Sequence, residues 1–202
     1  MDGRTLQDVR RLLPALGIVA LIVLVGVGLS QAGGGDERPA ASAAGFDLDA
    51  ALRRLEGAPG PLAALHERAN ELVEATPRSF AGELRRLEGT PVVVNKWASW
   101  CGPCRAEFPI FQRLGTELGK DVAFVGLNAR DGRAPATEFL ADFPVPYPSF
   151  EDPQERIARD IGAPANYPIT LFYGADGERA FIKQGGYRSE ADLRADIERY
   201  AR

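Results

Sequence analysis

The stretch Asn95-Lys96-Trp97-Ala98-Ser99-Trp100-Cys101-Gly102-Pro103-Cys104-Arg105-Ala106-Glu107-Phe108-Pro109 decides the reading of this chain. Cys101 and Cys104 are the only two cysteines, so the pair cannot belong to a larger disulfide framework. A bridge between residues so close removes little unfolded-state entropy, which makes it poor stapling. It can, however, open and close as redox chemistry. A closed zinc site wants four ligands, mostly Cys and His. The chain has a single histidine, His66, far upstream. His66 falls close to an apolar helical stripe and reads as a structural or surface residue. No metal is expected.

The sequence before the pair reads as a strand and the sequence after it as a helix. Val92, Val93 and Val94 are β-branched and lead to Trp97. From Gly102 to Leu118 the apolar positions Ile110, Phe111, Leu114 and Leu118 follow helical spacing. Cys101 therefore stands where a helix begins. Unpaired backbone N–H groups and the helix dipole there favour a thiolate, the species that attacks disulfides. Gly102 leaves room for a substrate chain to approach. Pro103 costs no helical hydrogen bond, because first-turn N–H groups have no intrahelical partner.

Downstream, Val122–Leu127 is a near-continuous apolar run of the kind found in parallel strands covered on both faces. Helices are expected around Ala134–Phe143 and Pro153–Ile161, with a short extended stretch between. Ile169–Tyr173 and Arg179–Lys183 form a hairpin turned at Asp176-Gly177. Ser189 with Asp192 caps a last helix. Upstream, Leu48, Ala51, Leu52 and Leu55 share one helix face. Pro61 opens a helix carrying Leu62, Leu65, Ala69, Leu72 and Val73 on one side. Thr76-Pro77 caps a third that runs to Gly89.

The far N-terminus differs from the rest. Leu12–Leu29 reads LLPALGIVALIVLVGVGL, without a charge and with no polar face. It is long enough to span a bilayer and longer than the apolar core of a signal peptide, about 7–15 residues. Arg4, Arg10 and Arg11 precede it. The positive-inside rule then puts residues 1–11 in the cytoplasm and residues 30–202 outside. The alternative is a cleaved signal ending near Ser30-Gln31-Ala32; both readings export the domain. Residues 30–45 are Gly/Ala/Ser-rich and read as a flexible tether with a reach on the order of 20 Å. The expected organisation is a tail (1–11), a transmembrane anchor (12–29), a linker (30–45), a helical extension (46–88) and an α/β domain (89–202). Net charge is −4 and the basic residues are scattered, which argues against nucleic acid as a partner.

The order strand, helix, strand, helices, strand, strand, helix, with Cys-x-x-Cys at the first strand–helix junction, resembles the thioredoxin fold. The segment Asn95–Pro109 is similar to the signature of membrane-anchored, extracytoplasmic TlpA/ResA-like thiol–disulfide oxidoreductases. The resemblance covers roughly Gly89 to Arg202. It implies a mixed sheet flanked by helices, with a strand–helix insert at Ala129–Pro153. It implies no cofactor beyond a redox-active Cys101–Cys104 disulfide, with Cys101 as nucleophile and Cys104 as resolving thiol. It further implies protein disulfides as clients, apocytochrome c among them, and a membrane thiol-transfer protein as electron donor.

Thioredoxin itself has a buried aspartate where this chain has Asn95. The TlpA/ResA-like proteins have a glutamate three residues after the second cysteine, and Glu107 stands there. That spacing puts it on the helix face of Cys104, and burial would raise its pKa toward that of a general base. Lys96 departs from the apolar residue usual in the family. It either snorkels or pairs with Glu107, and pairing would lower the Glu107 pKa. A cis-proline facing the cysteines is implied, and Pro168 after Tyr167 is preferred over Pro164 because it abuts a strand. Trp100, Gly102, Pro103, Tyr167 and Pro168 are thus the expected client-binding residues. Gly102-Pro103 is the dipeptide of reducing thioredoxins, so a reductant with a potential of about −220 to −280 mV is expected. The alternatives are a disulfide-donating oxidase or isomerase on the same fold, or a client-binding module without turnover. The Pro-x-x-x-Thr/Ser-x-x-Cys pattern of peroxiredoxins is absent around Cys101.

Overall fold

The computed structural model describes residues 45–202. The expected tail, anchor and nearly all of the linker lie outside the described residues. Among the described residues, no helix is long and apolar enough to cross a membrane.

A six-stranded mixed sheet organises the domain. Its elements in chain order are α1 (Leu48–Leu55), α2 (Gly60–His66), β1 (Leu72–Glu74), α3 (Pro77–Arg86), β2 (Val92–Trp97), α4 (Gly102–Leu118), β3 (Ala123–Ala129), α5 (Arg133–Asp142), β4 (Ser149–Asp152), α6 (Arg156–Asp160), β5 (Ile169–Tyr173), β6 (Arg179–Gln184) and α7 (Glu190–Tyr200). The strand order is β1-β4-β3-β2-β5-β6. β1, β4, β3 and β2 run parallel, whereas β5 and β6 are antiparallel additions. The central strands β2, β3 and β5 are buried at every position, because helices cover both faces.

Two apolar clusters fill the two sides of the sheet. Val93, Trp97, Phe124 and Phe172 pack with α4, α5 and α7. Val92, Val94, Val125 and Leu171 pack with α2, α3 and α6. Alternation along β2 therefore sends Asn95 to the first side and Lys96 to the second. Trp97 anchors the first cluster, with Phe139 stacked at 4.9 Å and Phe108 edge-on at 5.2 Å. Its indole N–H donates to Ser149 Oγ at 3.1 Å, so the ring is buried without an orphaned donor. Ser149 reaches in because its neighbour across the ladder is Gly126, where a Cβ would lie 2.1 Å from that hydroxyl.

One expectation is corrected. The helix predicted to carry Ala69, Leu72 and Val73 stops at His66. Leu72–Glu74 forms edge strand β1, parallel to β4, so the segment 46–88 is not purely helical. Asn70 makes the transition with φ +61°, a conformation Asn tolerates. Its amide donates to the Leu140 carbonyl and its side-chain carbonyl accepts from Val145 N–H, tying this segment to α5 and the stretch that follows it. A three-residue strand is too short to show a period of two. Its leucine and valine continued the helical stripe by coincidence.

Thr76 caps α3 in a reciprocal box with Ser79, and Pro77 takes the first helical position. The segment 129–153 holds α5 and β4.

Candidate active site

Cys101 is the N-cap of α4, and its Sγ accepts from Cys104 N–H at 3.1 Å. The cap has its own physical logic. Ncap side chains satisfy first-turn N–H groups, and a sulfur held there gains anion stabilisation from the donor and the dipole. The two cysteines are joined in a disulfide. Cys101 retains 4% exposure and Cys104 none, so an incoming thiol or disulfide can meet Cys101 first. Gly102 has nothing within 4 Å of where a Cβ would stand, which leaves the approach open.

The segment before Cys101 is pinned by a residue the sequence reading missed. Asp131, just after β3, accepts from Ser99 N–H at 2.6 Å and from the Ser99 hydroxyl at 2.9 Å. Asn128 orients it through a third bond at 3.0 Å. Trp100 is the one large apolar side chain strongly exposed among the described residues, at 57%. Its indole N–H donates to the Arg130 carbonyl at 3.0 Å, and its ring meets Tyr167 edge-on at 4.9 Å.

Among the described residues the one cis peptide bond is Tyr167–Pro168. Pro164 instead offers its carbonyl to Lys96. The Pro168 carbonyl accepts from Gly185 N–H at 3.0 Å, whereas the Tyr167 backbone N–H and carbonyl have no partner among the described residues. A Cβ on Gly186 would lie 3.5 Å from Glu107 Oε2, 3.5 Å from the Pro103 carbonyl oxygen and 3.6 Å from Pro168 Cγ. The glycine thus marks the point where α4, the cis-proline loop and the end of β6 converge.

Glu107 is fully buried one turn after Cys104. Asn95 Nδ2 donates to its Oε1 at 2.8 Å, and Tyr187 N–H donates to its Oε2 at 3.0 Å. Burial pushes the carboxyl up, and these two donors and the Lys183 charge only partly offset it, leaving a pKa of about 7. The departure at Asn95 now has a physical role. A neutral amide donor holds the carboxylate without adding a second negative charge.

Lys96 corrects another expectation: it neither snorkels nor pairs with Glu107. It is completely buried on the opposite face of the sheet, where Nζ lies 3.1 Å from Glu155 Oε1 and donates to the Pro164 carbonyl at 2.6 Å. The Glu107 pKa is therefore not lowered by it. Alternation along a strand sends neighbouring side chains apart. Arg105 lies half-exposed over the Phe139 and Phe143 rings. The described residues contain no cluster of His, Cys, Asp or Glu side chains arranged for a metal ion.

The Redoxin family pattern matches residues 70–202, more than half of the chain, and begins at the residue that introduces β1. The chain is 31% identical over 144 residues to the thiol:disulfide interchange protein DsbE of Tatumella citrea, covering 71% of this chain and 69% of that protein. It is 32% identical over 104 residues to the thiol-disulfide oxidoreductase ResA of Oceanobacillus iheyensis, covering 51% and 54%. Among solved structures, a secreted thiol-disulfide isomerase from Corynebacterium glutamicum superposes with a TM-score of 0.52 at 28% identity, covering 58% of this chain and 72% of that one. The chain spans about half the length of several curated relatives it matches. With the cysteine pair capping α4 and the family pattern running through the whole sheet, the chain belongs to the Redoxin family, as a TlpA/ResA/DsbE-like member of the thioredoxin superfamily.

Proposed function

We propose that this chain is an exported, membrane-tethered thiol–disulfide oxidoreductase that reduces protein disulfides. The observation that carries the reading is the Cys101–Cys104 disulfide at the start of α4, with the more exposed sulfur outward and a buried glutamate of pKa about 7 one turn behind. In the reduced protein the Cys101 thiolate attacks a client disulfide. A mixed disulfide forms and one client thiolate leaves. Cys104 then attacks Cys101 Sγ, releasing the second client thiolate and closing the protein disulfide. Two electrons pass to the client. Glu107 takes the Cys104 proton, a role for which a pKa near the working pH is suited.

The client lies as an extended chain against Tyr167, whose backbone N–H and carbonyl have no partner among the described residues, with Trp100 supplying an apolar edge. A membrane dithiol protein restores the reduced state. The uncharged run Leu12–Leu29 behind three arginines supports tethering with the domain outside the cytoplasm. Apocytochrome c thiols are the candidate clients that the TlpA/ResA/DsbE relationship suggests.

Trapping tests the roles. Cys104→Ser leaves the mixed disulfide unresolved, so covalent Cys101–client complexes should accumulate and dissolve on reduction, while Cys101→Ser should trap few. Equal trapping by both variants overturns the assignment. The second reading, an isomerase or oxidase, is favoured by the similarity to the secreted isomerase. Equilibration with glutathione mixtures decides between them. A potential of about −220 to −280 mV supports the reductase, and a value above about −180 mV favours the isomerase.

A further inference from the structure

Lys96 has no role in the sulfur chemistry, since it faces the side of the sheet away from Cys104 and Glu107. Nor does stability explain it. A wholly buried ammonium loses its hydration, and an apolar side chain of similar volume is often neutral or better at such a position. Its contacts lead elsewhere. Nζ lies 3.1 Å from Glu155 Oε1, 2.6 Å from the Pro164 carbonyl and 4.1 Å from the centroid of the Tyr167 ring. The Tyr167 hydroxyl is 2.7 Å from the same Glu155 oxygen and 3.0 Å from the Ala129 carbonyl. It has one proton to give, and the carboxylate is the stronger acceptor. Tyr167 is therefore gripped at its face by a cation and at its tip by an anion. Its ring also meets the exposed Trp100 ring beside Cys101. Glu155 itself has φ +54°, uncommon for a non-glycine residue, and its backbone starts α6.

We infer that Lys96 and Glu155 are positioning residues which fix Tyr167, and through it the Trp100 edge and the cis-proline backbone, for docking an extended polypeptide rather than a small disulfide. The inference rests on the proposed oxidoreductase activity and adds to it the residues that hold its client-binding edge in place. Lys96 and Glu155 act from behind the binding edge. Their loss should weaken engagement of a long chain and leave attack on a short, freely diffusing disulfide unaffected.

The test compares insulin, a polypeptide disulfide, with bis(2-hydroxyethyl) disulfide, using the full-length chain. The variant is the double substitution Lys96→Met with Glu155→Gln, which leaves no unpaired buried charge. The KM for insulin should rise about five- to ten-fold with kcat within about two-fold, and the rate with the small disulfide should stay within about two-fold. If the double variant does not fold, Lys96→Met alone, which leaves Glu155 accepting from the Tyr167 hydroxyl, supplies the reading. It should raise the insulin KM about three-fold with the same split between probes. An unchanged insulin KM, or equal losses with both probes, overturns the inference. A wild-type chain that reduces neither probe overturns the underlying activity as well, so the two failures are distinguishable.

Discussion

Asn95 and Lys96 are neighbours on β2, yet each meets a different glutamate on a different side of the sheet. On the α4 side, Glu107 is held by two neutral donors, the Asn95 amide and the Tyr187 backbone. Burial wins, and the carboxyl titrates at about 7. On the α6 side, burial also pushes Glu155 up, but the Tyr167 hydroxyl, Lys96 and Arg130 outweigh it and hold the group below the usual carboxylate range. One buried glutamate can exchange a proton at physiological pH and the other stays charged. Two adjacent residues on one strand thus separate a proton-transfer site from a structural ion pair. Burial and partner charge together set the difference: Glu107 loses all its water, whereas Glu155 keeps some and has an ammonium within ion-pair distance.

The largest expected effect comes from unpairing the static side. Glu155→Gln leaves Lys96 without a counter-charge in a wholly buried position, which should cost about 3–5 kcal/mol in urea denaturation. Lys96→Met should cost less, because Glu155 keeps the Tyr167 hydroxyl and some solvent. The double variant should recover most of the loss. Equal costs for the two single variants would break the claim that the lysine is the stranded partner.

The proton-active side predicts a pH signature. A carboxyl whose folded pKa is raised binds more protons than the unfolded chain between its ordinary value of 4.5 and about 7. Its contribution to stability is intact below pH 4.5 and is lost as pH rises to 7. The loss is about 3 kcal/mol at 1.36 kcal/mol per pH unit. Glu107→Gln should flatten this segment of the stability curve in the oxidised protein and slow disulfide exchange. If the slope between pH 4.5 and 7 persists in the variant, another group carries it.

Asn95→Asp sharpens the comparison by placing a second carboxyl against Glu107 Oε1. The two cannot both ionise easily, so the exchange rate should reach its half-maximum at least about 1 pH unit higher than in wild type. An unmoved profile would mean the proton passes elsewhere. The smallest change in stability belongs to Trp100→Ala, below about 1 kcal/mol, because the ring is 57% exposed. Trapping of polypeptide clients in the Cys104→Ser background should nonetheless fall.

Much of this site was legible because its residues are close in sequence. The valines of β2, the cysteine at a helix start and a glutamate one turn later are properties of a local stretch. Periodicity alone puts Glu107 on the Cys104 face. Pro168 was legible because it abuts a strand. Tyr187 was not, since its backbone N–H meets Glu107 across 80 residues of chain. Gly186 carried a weak signal in the Gly185-Gly186 pair after β6. Asp131 carried no signal, since its bonds to Ser99 form only where the loop after β3 closes on the segment before Cys101.

The sequence by itself determined the reactive pair, its place at a strand–helix junction and the alternating faces of β2, all consequences of short-range backbone geometry. Only the tertiary structure decided that Leu72–Glu74 would be a strand, because a segment of three residues takes its conformation from the β4 edge it pairs with. The fold also decided the partner of Lys96. A period of two states that neighbours diverge, but which carboxylate waits on the far side depends on the return of the chain at Glu155. The ionisation of Glu155 follows from that encounter and that of Glu107 from the Asn95 amide and Tyr187 N–H it meets instead, because nearby charges and donors either outweigh the cost of burial or yield to it.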